Sequence, residues 1–543
     1  MGPGVGFGRS LLVSPRAAAV AALALLAGCA AASEGSLPAG SEAALYARGL
    51  DEISDLYVKP VSPRQLALAG AARLRLLDNA VEFSERGERE QLVLRYDGRD
   101  IATPPTPQAD DPRAWGSWLA AIAAAAKQAS AKIAALPPER LDKVVFDGIT
   151  GPLDRYSRYS PPELARSHRA ARDGFGGIGV TLAGDDFRIS EVIPQSPADL
   201  AGLRPDDRIT AIDGTPTAGR AAEEIVHEMR GGVATPVTVT VTPANSREPR
   251  ELRLERALVT APTVSLSRDG RTAIVRVTSF NHTTRQMLAA SLKEAEGKAG
   301  GRLAGVVLDL RGNPGGLLDQ GVGLADLFIH DGPISAATGR NPASRQYFAA
   351  HGDDILGDTP VAVLINGETA SSAEIVAAAL QDVGRAVVIG SASYGKGTIQ
   401  TVVHLPNQGE LTVTWAWLLA PSGYLLQGHG VVPTLCTADL GDTEPALQTA
   451  LTRARATGSS PATPARAALD EAGWAALRGS CPPRPGRPAI DVKLAEQVLA
   501  DPKLYLAALH AIGSGGRLTP GKPAAGPSLT DARATLSSSL RLP

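Results

Sequence analysis

VAVLINGETASSAEIVAAALQDVGRAVVIGSASYGKGTIQ, residues 361–400, decides the fold. Val361–Ile365 is an apolar, β-rich run closed by Asn366-Gly367, the pattern of a short buried strand. From Ser372 to Asp382 the apolar spacing turns helical, with Ile375, Val376, Ala379 and Leu380 on one face. Ala386–Ile389 reads as a second buried strand. A Gly-rich loop then presents Lys396, and Thr398–His404 restarts a strand that carries Gln400. Strands alternating with helices make this an α/β unit. Ser371 stands where a strand turns into a helix, a place where free backbone N–H groups and the positive end of the helix dipole gather. A nucleophile there has oxyanion donors beside it.

Taken singly, these residues also have plain structural readings. Ser371 with Glu374 three positions on spells a capping box, and a serine at a helix start is ordinarily a cap. A lone Lys396 reads as a solvated loop lysine. Gly390-x4-Gly395-Lys396 approaches a phosphate-binding loop, but Gly397 stands where that motif needs Ser or Thr, and a strand follows where it needs a helix. The nucleotide reading is therefore rejected. His404 and His429 lie near the site in sequence without a recognisable triad setting, and read as structural. The chemistry favours a different base. A serine hydroxyl needs one at neutral pH. A lysine serves only when neutral, so its free pKa of about 10.4 must fall. Burial without a carboxylate partner does this, and the loop 391–400 contains no acid. A neutral Gln can accept an N–H from the lysine without stabilising its charge as Glu would.

Thr369-Ala370-Ser371-Ser372-Ala373-Glu374-Ile375 followed by Tyr394-Gly395-Lys396-Gly397-Thr398-Ile399-Gln400 resembles the carboxyl-terminal processing peptidases, or tail-specific proteases. In that family Ser and Lys lie 25 positions apart and Gln follows four later, the spacings found here. The resemblance implies Ser371 as nucleophile, Lys396 as general base and Gln400 as the orienting third member. It also implies a multidomain α/β fold: a ClpP/crotonase-like peptidase core, an inserted PDZ β-domain and an N-terminal helical region. Gly305–Leu310, Arg311-Gly312-Asn313-Pro314-Gly315-Gly316 and the helix Leu317–Phe328 match the family's strand–Gly loop–helix unit. The resemblance implies that backbone N–H groups of Gly315 and Gly316 join that of Ser372 in an oxyanion hole, although Asn-Pro-Gly-Gly would make a tight turn in any case. Pro421-Ser422-Gly423 and Gln427-Gly428-x-Gly430 also match, whereas Trp415-Ala416-Trp417 departs from the family pattern.

The chain of 543 residues, 44% hydrophobic, is long enough for several domains. A net charge of −2 without a strong basic patch argues against a nucleic-acid partner. Residues 1–29 read as a targeting segment: Arg9 and Arg16, then the apolar run Ala17–Gly28, too short to span a bilayer, ending Leu26-Ala27-Gly28-Cys29. That ending resembles the bacterial lipobox, implying lipid on Cys29 and a membrane partner, the alternative being an ordinary secretory signal cleaved nearby; Ala30, not Asp, follows it, which in the bacterial sorting rule this resembles favours the outer membrane. Residues 30–41 form a tether. With Cys29 set aside, Cys436 and Cys481 remain as an even pair for a disulfide in an oxidising compartment, or as two buried thiols.

Residues 42–173 read as mainly helical, with Tyr57-Val58-x-x-Val61 and Gly151–Tyr159 resembling the family's N-terminal region and residues near 78–138 an insertion. Residues 174–245 resemble a PDZ domain. There Gly176, Gly177, Ile178, Gly179 and Val180 would hold a peptide's terminal carboxylate, the peptide adding as a strand beside Val180. Gly174-x-Gly176-x-x-Gly179 also fits a dinucleotide fingerprint, but no strand precedes it and no helix follows. Residues 246–438 are the expected peptidase core, and 439–543 a partly helical tail with low-complexity stretches at Ala456–Pro464 and Gly513–Pro527. The expectation is a periplasmic, lipid-anchored serine endopeptidase acting on protein or peptide substrates with free C-termini, needing no metal or cofactor. A homo-oligomer or adaptor partner is left open. The alternative is a non-catalytic PDZ adaptor on an inactive peptidase scaffold.

Overall fold

The computed structural model describes residues 42–86, 91–352, 354–457 and 466–510. The lipobox at Cys29, the tether 30–41, most of Ala456–Pro464 and the Gly513–Pro527 stretch lie outside the described residues.

The stretch 361–400 forms the centre of a six-stranded sheet. Val361–Ile365 lies parallel between Gly305–Asp309 and Val387–Gly390. Thr272–Val277 extends the sheet on one side, with Val264–Asp269 antiparallel at its edge, and Leu435–Cys436 closes the other side. Strands buried on both faces read as continuous apolar runs rather than alternating ones, and the two faces are covered by different helices. Val306, Leu308, Val361, Val363, Ile365 and Val388 point into a core built with the helices Thr284–Ala299, Leu318–Asp326 and Ser372–Asp382. Val307, Ala362, Leu364, Val387 and Ile389 point the other way, onto the helices Glu444–Thr457, Ala489–Ala500 and Pro502–His510. The tail beyond residue 438 is therefore the third layer of the core. The helices Ala489–Ala500 and Pro502–His510 are separated at Asp501, whose carboxylate caps the second by accepting from the Leu504 N–H at 3.2 Å.

A second sheet begins just after the loop that holds Lys396, the general-base candidate. Thr398–His404 and Glu410–Leu419 form a hairpin, Pro333–Thr338 and Gln346–Ala349 continue it, and Arg158–Ser160 from the N-terminal region pairs with Glu410–Thr412. The N-terminal helices Glu42–Leu56, Pro63–Arg73, Pro112–Ala129 and Pro138–Thr150 pack around Tyr46, Phe146, Trp115 and Trp118. The insertion near 78–138 adds a three-stranded sheet, Val81–Arg86, Gln91–Tyr96 and Arg99–Ala102, to that core. Its long helix ends at Ala129, because Ser130 leaves helical geometry and caps the next turn, accepting from the Ile133 N–H.

The PDZ unit is a sheet running Arg250–Glu255, Pro236–Thr242, Arg208–Ile212, Arg188–Val192, Val180–Ala183, with the helix Ala222–Met229. Arg250–Glu255 pairs along its length with Pro236–Thr242, so the module runs past the expected boundary at 245. Its two connections to the body, Phe175–Gly177 and Ala257–Val259, pair with each other as a two-stranded stem.

Candidate active site

Ser371 holds φ +58° and ψ −121°, left-handed backbone that a serine seldom adopts. Such a residue costs about 1–3 kcal/mol and persists only where its surroundings fix it. Here the fixing group is Glu374, at the third position of the helix that Ser371 caps. Glu374 is fully buried and accepts from four donors. The Ser371 N–H (2.8 Å) and Lys396 N–H (2.9 Å) share Oε2, and the Gly395 N–H (2.7 Å) and Ser393 hydroxyl reach Oε1. Burial pushes the carboxyl pKa up and these hydrogen bonds pull it back down. Ser393 Oγ also accepts from the Val431 N–H at 2.7 Å, so the hydroxyl joins the loop before Lys396 to the Val431 backbone as well as to Glu374. One buried oxygen thus ties the backbone of Ser371 to that of Lys396, 25 residues on. Sequence pattern alone assigns Glu374 a capping role and nothing more. Its second role depends on the Lys396 loop folding back over the helix start, a long-range contact without a local signal.

Lys396 is half-buried, and its Nζ lies 5.1 Å from the centre of the Tyr156 ring. Burial and then the nearby Arg158 guanidinium hold its pKa below the ordinary lysine value; Glu374 and Asp154 act weakly the other way. Among the described residues the ammonium has no hydrogen-bond or ion-pair partner. Tyr156 and Arg158 come from the Gly151–Tyr159 segment, which the strand Arg158–Ser160 delivers to the hairpin. The sequence marked that segment by resemblance, without a role. Tyr394 stands 45% exposed in the loop, with the Arg155 guanidinium 5.4 Å from its ring centre.

The loop 311–316 lies against Ser371. Asn313 O accepts from the Ala370 N–H at 2.9 Å, and the Ser372 hydroxyl donates to Gly316 O at 3.0 Å. A Cβ on Gly315, at φ +97°, would lie 2.7 Å from Ser371 Cβ, and one on Gly316 would lie 2.1 Å from Phe280 O. Of the three expected oxyanion donors, the Gly315 N–H is taken by Asn313 Oδ1 at 2.8 Å, because the Asn side chain folds back into its own turn. The N–H groups of Gly316 and Ser372 have no acceptor among the described residues.

Gln400 Nε2 donates to Thr398 Oγ1 (2.9 Å) and Thr414 Oγ1 (3.1 Å), which occupies both of its protons and fixes the amide. Its carbonyl oxygen has no partner among the described residues, and no Lys396–Gln400 hydrogen bond forms. The Gln427-Gly428 segment buttresses the base loop: Gln427 Oε1 accepts from the Gly397 N–H at 3.0 Å, and the Gly428 N–H donates to Gly395 O at 2.9 Å. His429 stacks on Trp474 with Nδ1 on Leu425 O, and His404 lies beside Glu410.

In the PDZ unit, Gly176 and Gly177 are drawn into the stem by pairing with Leu258 and Ala257, and Gly176 O accepts from the Gly231 N–H. Ile178 is buried in the module core. The N–H groups of Ile178 and Gly179 have no partner among the described residues; both residues are buried and directly precede the edge strand Val180–Ala183. The groove along that strand has a volume of about 930 Å³. Val180, Leu182, Ala222 and Val226 of the module line one wall, and Pro262, Val264 and Ser265 of the body the other. Cys436 and Cys481 are disulfide-bonded, with their Cα atoms 5.8 Å apart.

A strained serine at a strand–helix turn beside a glycine-rich loop, and a PDZ module on a paired stem, define a class, the serine peptidases that carry a PDZ domain. The model of "Peptidase family S41" matches residues 271–436, and that of the PDZ domain residues 188–243. A carboxy-terminal-processing protease of Bartonella bacilliformis is 36% identical over 301 residues, covering 55% of this chain and 69% of the relative. A probable CtpA-like serine protease of Staphylococcus aureus is 32% identical over 305 residues, covering 54% of this chain and 60% of the relative. The solved photosystem II D1 C-terminal processing protease is 29% identical, with 56% of this chain and 84% of that one covered and a TM-score of 0.33. The chain belongs to the carboxy-terminal-processing proteases of peptidase family S41.

Proposed function

We propose that this chain is a serine endopeptidase that holds the C-terminal tail of a protein in its PDZ groove and hydrolyses a peptide bond within that tail through Ser371 and Lys396. The observation that carries the reading is the Glu374 carboxylate, which anchors both residues from one oxygen beside two unengaged N–H donors. In this mechanism the scissile carbonyl oxygen sits between the N–H groups of Gly316 and Ser372, which stabilise the charge that develops there. Neutral Lys396 swings from above Tyr156, takes the Ser371 proton as Oγ attacks, and returns it to the leaving amine. Water then releases the acyl group by the same exchange in reverse. The open Gln400 carbonyl accepts an N–H of the moving lysine and aims its lone pair. In the groove, the substrate's terminal carboxylate takes the unpartnered N–H groups of Ile178 and Gly179, and its backbone adds beside Val180.

The proposed setting is the periplasmic side of a bacterial envelope, with lipid on Cys29 and periplasmic proteins as substrates. The segment 1–29 supports this, as does a disulfide, which persists in oxidising compartments. Cys29→Ser should leave the protein unanchored or unprocessed; an unmodified mature N-terminus in the wild type would end that part of the reading. The activity is tested by incubating purified protein with an unfolded, apolar-tailed substrate and mapping products by mass spectrometry. Internal cleavage that Ser371→Ala abolishes is expected. A ladder of single-residue losses would mean a carboxypeptidase, and intact substrate bound by the PDZ unit would mean an adaptor.

A further inference from the structure

The segment 478–491 runs along the back of the catalytic loops and is tied to each of them. Arg478 donates through Nη2 to Ser393 O at 3.1 Å and through Nη1 to His429 O, two carbonyls of the layers that hold Lys396. Arg484 O accepts from the Gly367 N–H at 2.8 Å, and its N–H donates to Ser391 Oγ at 3.1 Å, joining the loop before Ser371 to the loop before Lys396. Gly486 O accepts from Asn366 Nδ2 at 2.7 Å, while Asn366 Oδ1 takes the Gly312 N–H of the oxyanion loop at 2.9 Å. Pro488 O accepts from Arg311 Nη1 at 2.7 Å. A cover that merely filled space would be apolar and would not seek out these turns.

The fastening is covalent. Cys436 pairs in register with Gly390, the residue from which the Lys396 loop departs, and Cys481 Sγ lies 3.7 Å from Gly390 O. The disulfide therefore fixes the strap at the root of that loop. Arg478, three residues before Cys481, is the nearest rigid lever on it. A Cβ on Gly430 would lie 2.6 Å from Ser393 Oγ, 2.9 Å from Arg478 Nη1 and 3.0 Å from Glu374 Oε1, so guanidinium, hydroxyl and carboxylate converge across this one glycine. The match to the peptidase family model ends at Cys436, and the strap lies beyond it.

We infer that the strap 478–491, closed by the Cys436–Cys481 disulfide, positions the catalytic loops, with Arg478 as the positioning residue for the loop that carries Lys396. The inference rests on the peptidase reading for its kinetic consequence but not for its structural one. Dithiothreitol would cleave the bond by supplying two electrons and two protons, giving two cysteine thiols and its own cyclic disulfide.

The test uses the full chain and five proteins: wild type, Arg478→Ala, Arg478→Lys, Cys436→Ser with Cys481→Ser, and Arg487→Ala as a control at an exposed position of the strap. Arg478→Ala and the double serine variant should lose roughly ten- to a hundred-fold in kcat, the effect of a small misplacement at the reacting centre. KM should stay within about two-fold, because the tail-binding groove is untouched. Arg478→Lys, which keeps the charge but not the two-pronged donor, should recover only part of the loss. Dithiothreitol should reproduce the loss in wild type and leave the double variant unchanged. Hydrogen exchange provides a readout that needs no turnover. Amides of 391–397 and 366–372 should exchange faster in Arg478→Ala and the double variant, with the strand 361–365 and the PDZ unit unchanged. Both variants exchanging and turning over like wild type would overturn the inference, as would faster exchange spread evenly over the core. If wild type shows no turnover, the peptidase reading fails while exchange still decides the strap.

Discussion

Glu374 determines what the residues of the site can do, because three backbone N–H groups and a hydroxyl converge on its two oxygens. Glu374→Gln replaces one acceptor with an NH2 that faces N–H donors, so at least one buried donor loses its partner, at about 1–3 kcal/mol. The expected result is a lowered melting temperature and a fall in kcat that exceeds any change in KM, read by calorimetry and peptide kinetics. With Lys396 as the proposed base, the pH profile follows the titration of its ammonium. Its pKa lies below that of a free lysine, so kcat/KM should climb as pH rises through that depressed value and level off above it. Arg158 repels the ammonium, so Arg158→Gln should raise the lysine pKa and move the rising limb to higher pH. A limb that stays in place would mean that Lys396 is not the titrating base. The placing of Ser371 at a strand–helix turn and of Lys396 in the loop before Thr398–His404 was legible in the sequence, because each rests on a local pattern. Tyr156, Arg158 and the second role of Glu374 were not, since they meet Lys396 only through the pairing of Arg158–Ser160 with Glu410–Thr412.

The elements show where local pattern stops carrying information. Val361–Ile365, Ser372–Asp382 and Thr398–His404 are readable because each combines a clear period with a Gly or Ser boundary. The helix Glu444–Thr457 presents only Leu447, Ala450, Leu451 and Ala454 as its buried stripe, too little to distinguish it from the low-complexity residues around it. The buried strands do not say what covers their second face. One consequence lies at the end of Gly305–Asp309. Arg311 is buried between Asp309, which takes Nε at 2.8 Å and Nη2 at 2.9 Å, and Asp491 of the covering helix, which takes Nη1 at 3.0 Å. Removing the cation leaves two buried carboxylates facing each other. Arg311→Ala should therefore destabilise the core by about 3–5 kcal/mol, seen as a shift in its urea unfolding midpoint. A second element-scale prediction concerns the base loop. A Cβ on Gly397 would lie 2.0 Å from Gln427 N, so Gly397→Ala must push Lys396 and the Gln427 segment apart. Loss of kcat without global unfolding is expected; wild-type kinetics would show that the loop yields freely.

At the scale of the whole molecule, the PDZ unit sits on a paired stem between the N-terminal region and the core, and its groove is closed on one side by the body. The helix that leads into the stem is pinned by Arg169 and Arg172 on the buried Glu410 of the active-site hairpin, at 2.8 and 3.0 Å. A tail lying beside Val180–Ala183 would contact Pro262, Val264 and Ser265 of the body as well as Ala222 and Val226 of the module. Its binding therefore depends on how module and body are arranged, and by linkage it biases that arrangement. A ligand shifts such an equilibrium only by its differential affinity, so a ten-fold preference supplies about 1.4 kcal/mol. If the unpartnered N–H groups of Ile178 and Gly179 receive the terminal carboxylate, as proposed, amidating a substrate's C-terminus removes the charge they would hold without altering the scissile region. Cleavage of the amide should be markedly slower than that of the free acid at sub-saturating concentration. Val226→Glu should erase the difference by placing a negative charge in the module wall. Ser265→Arg, on the body wall, should change tail affinity only if the tail bridges module and body, which separates recognition by the PDZ unit alone from coupling between the two. Equal rates for acid and amide on the intact enzyme would mean that the module does not read the terminus, whatever the active site does with the bond.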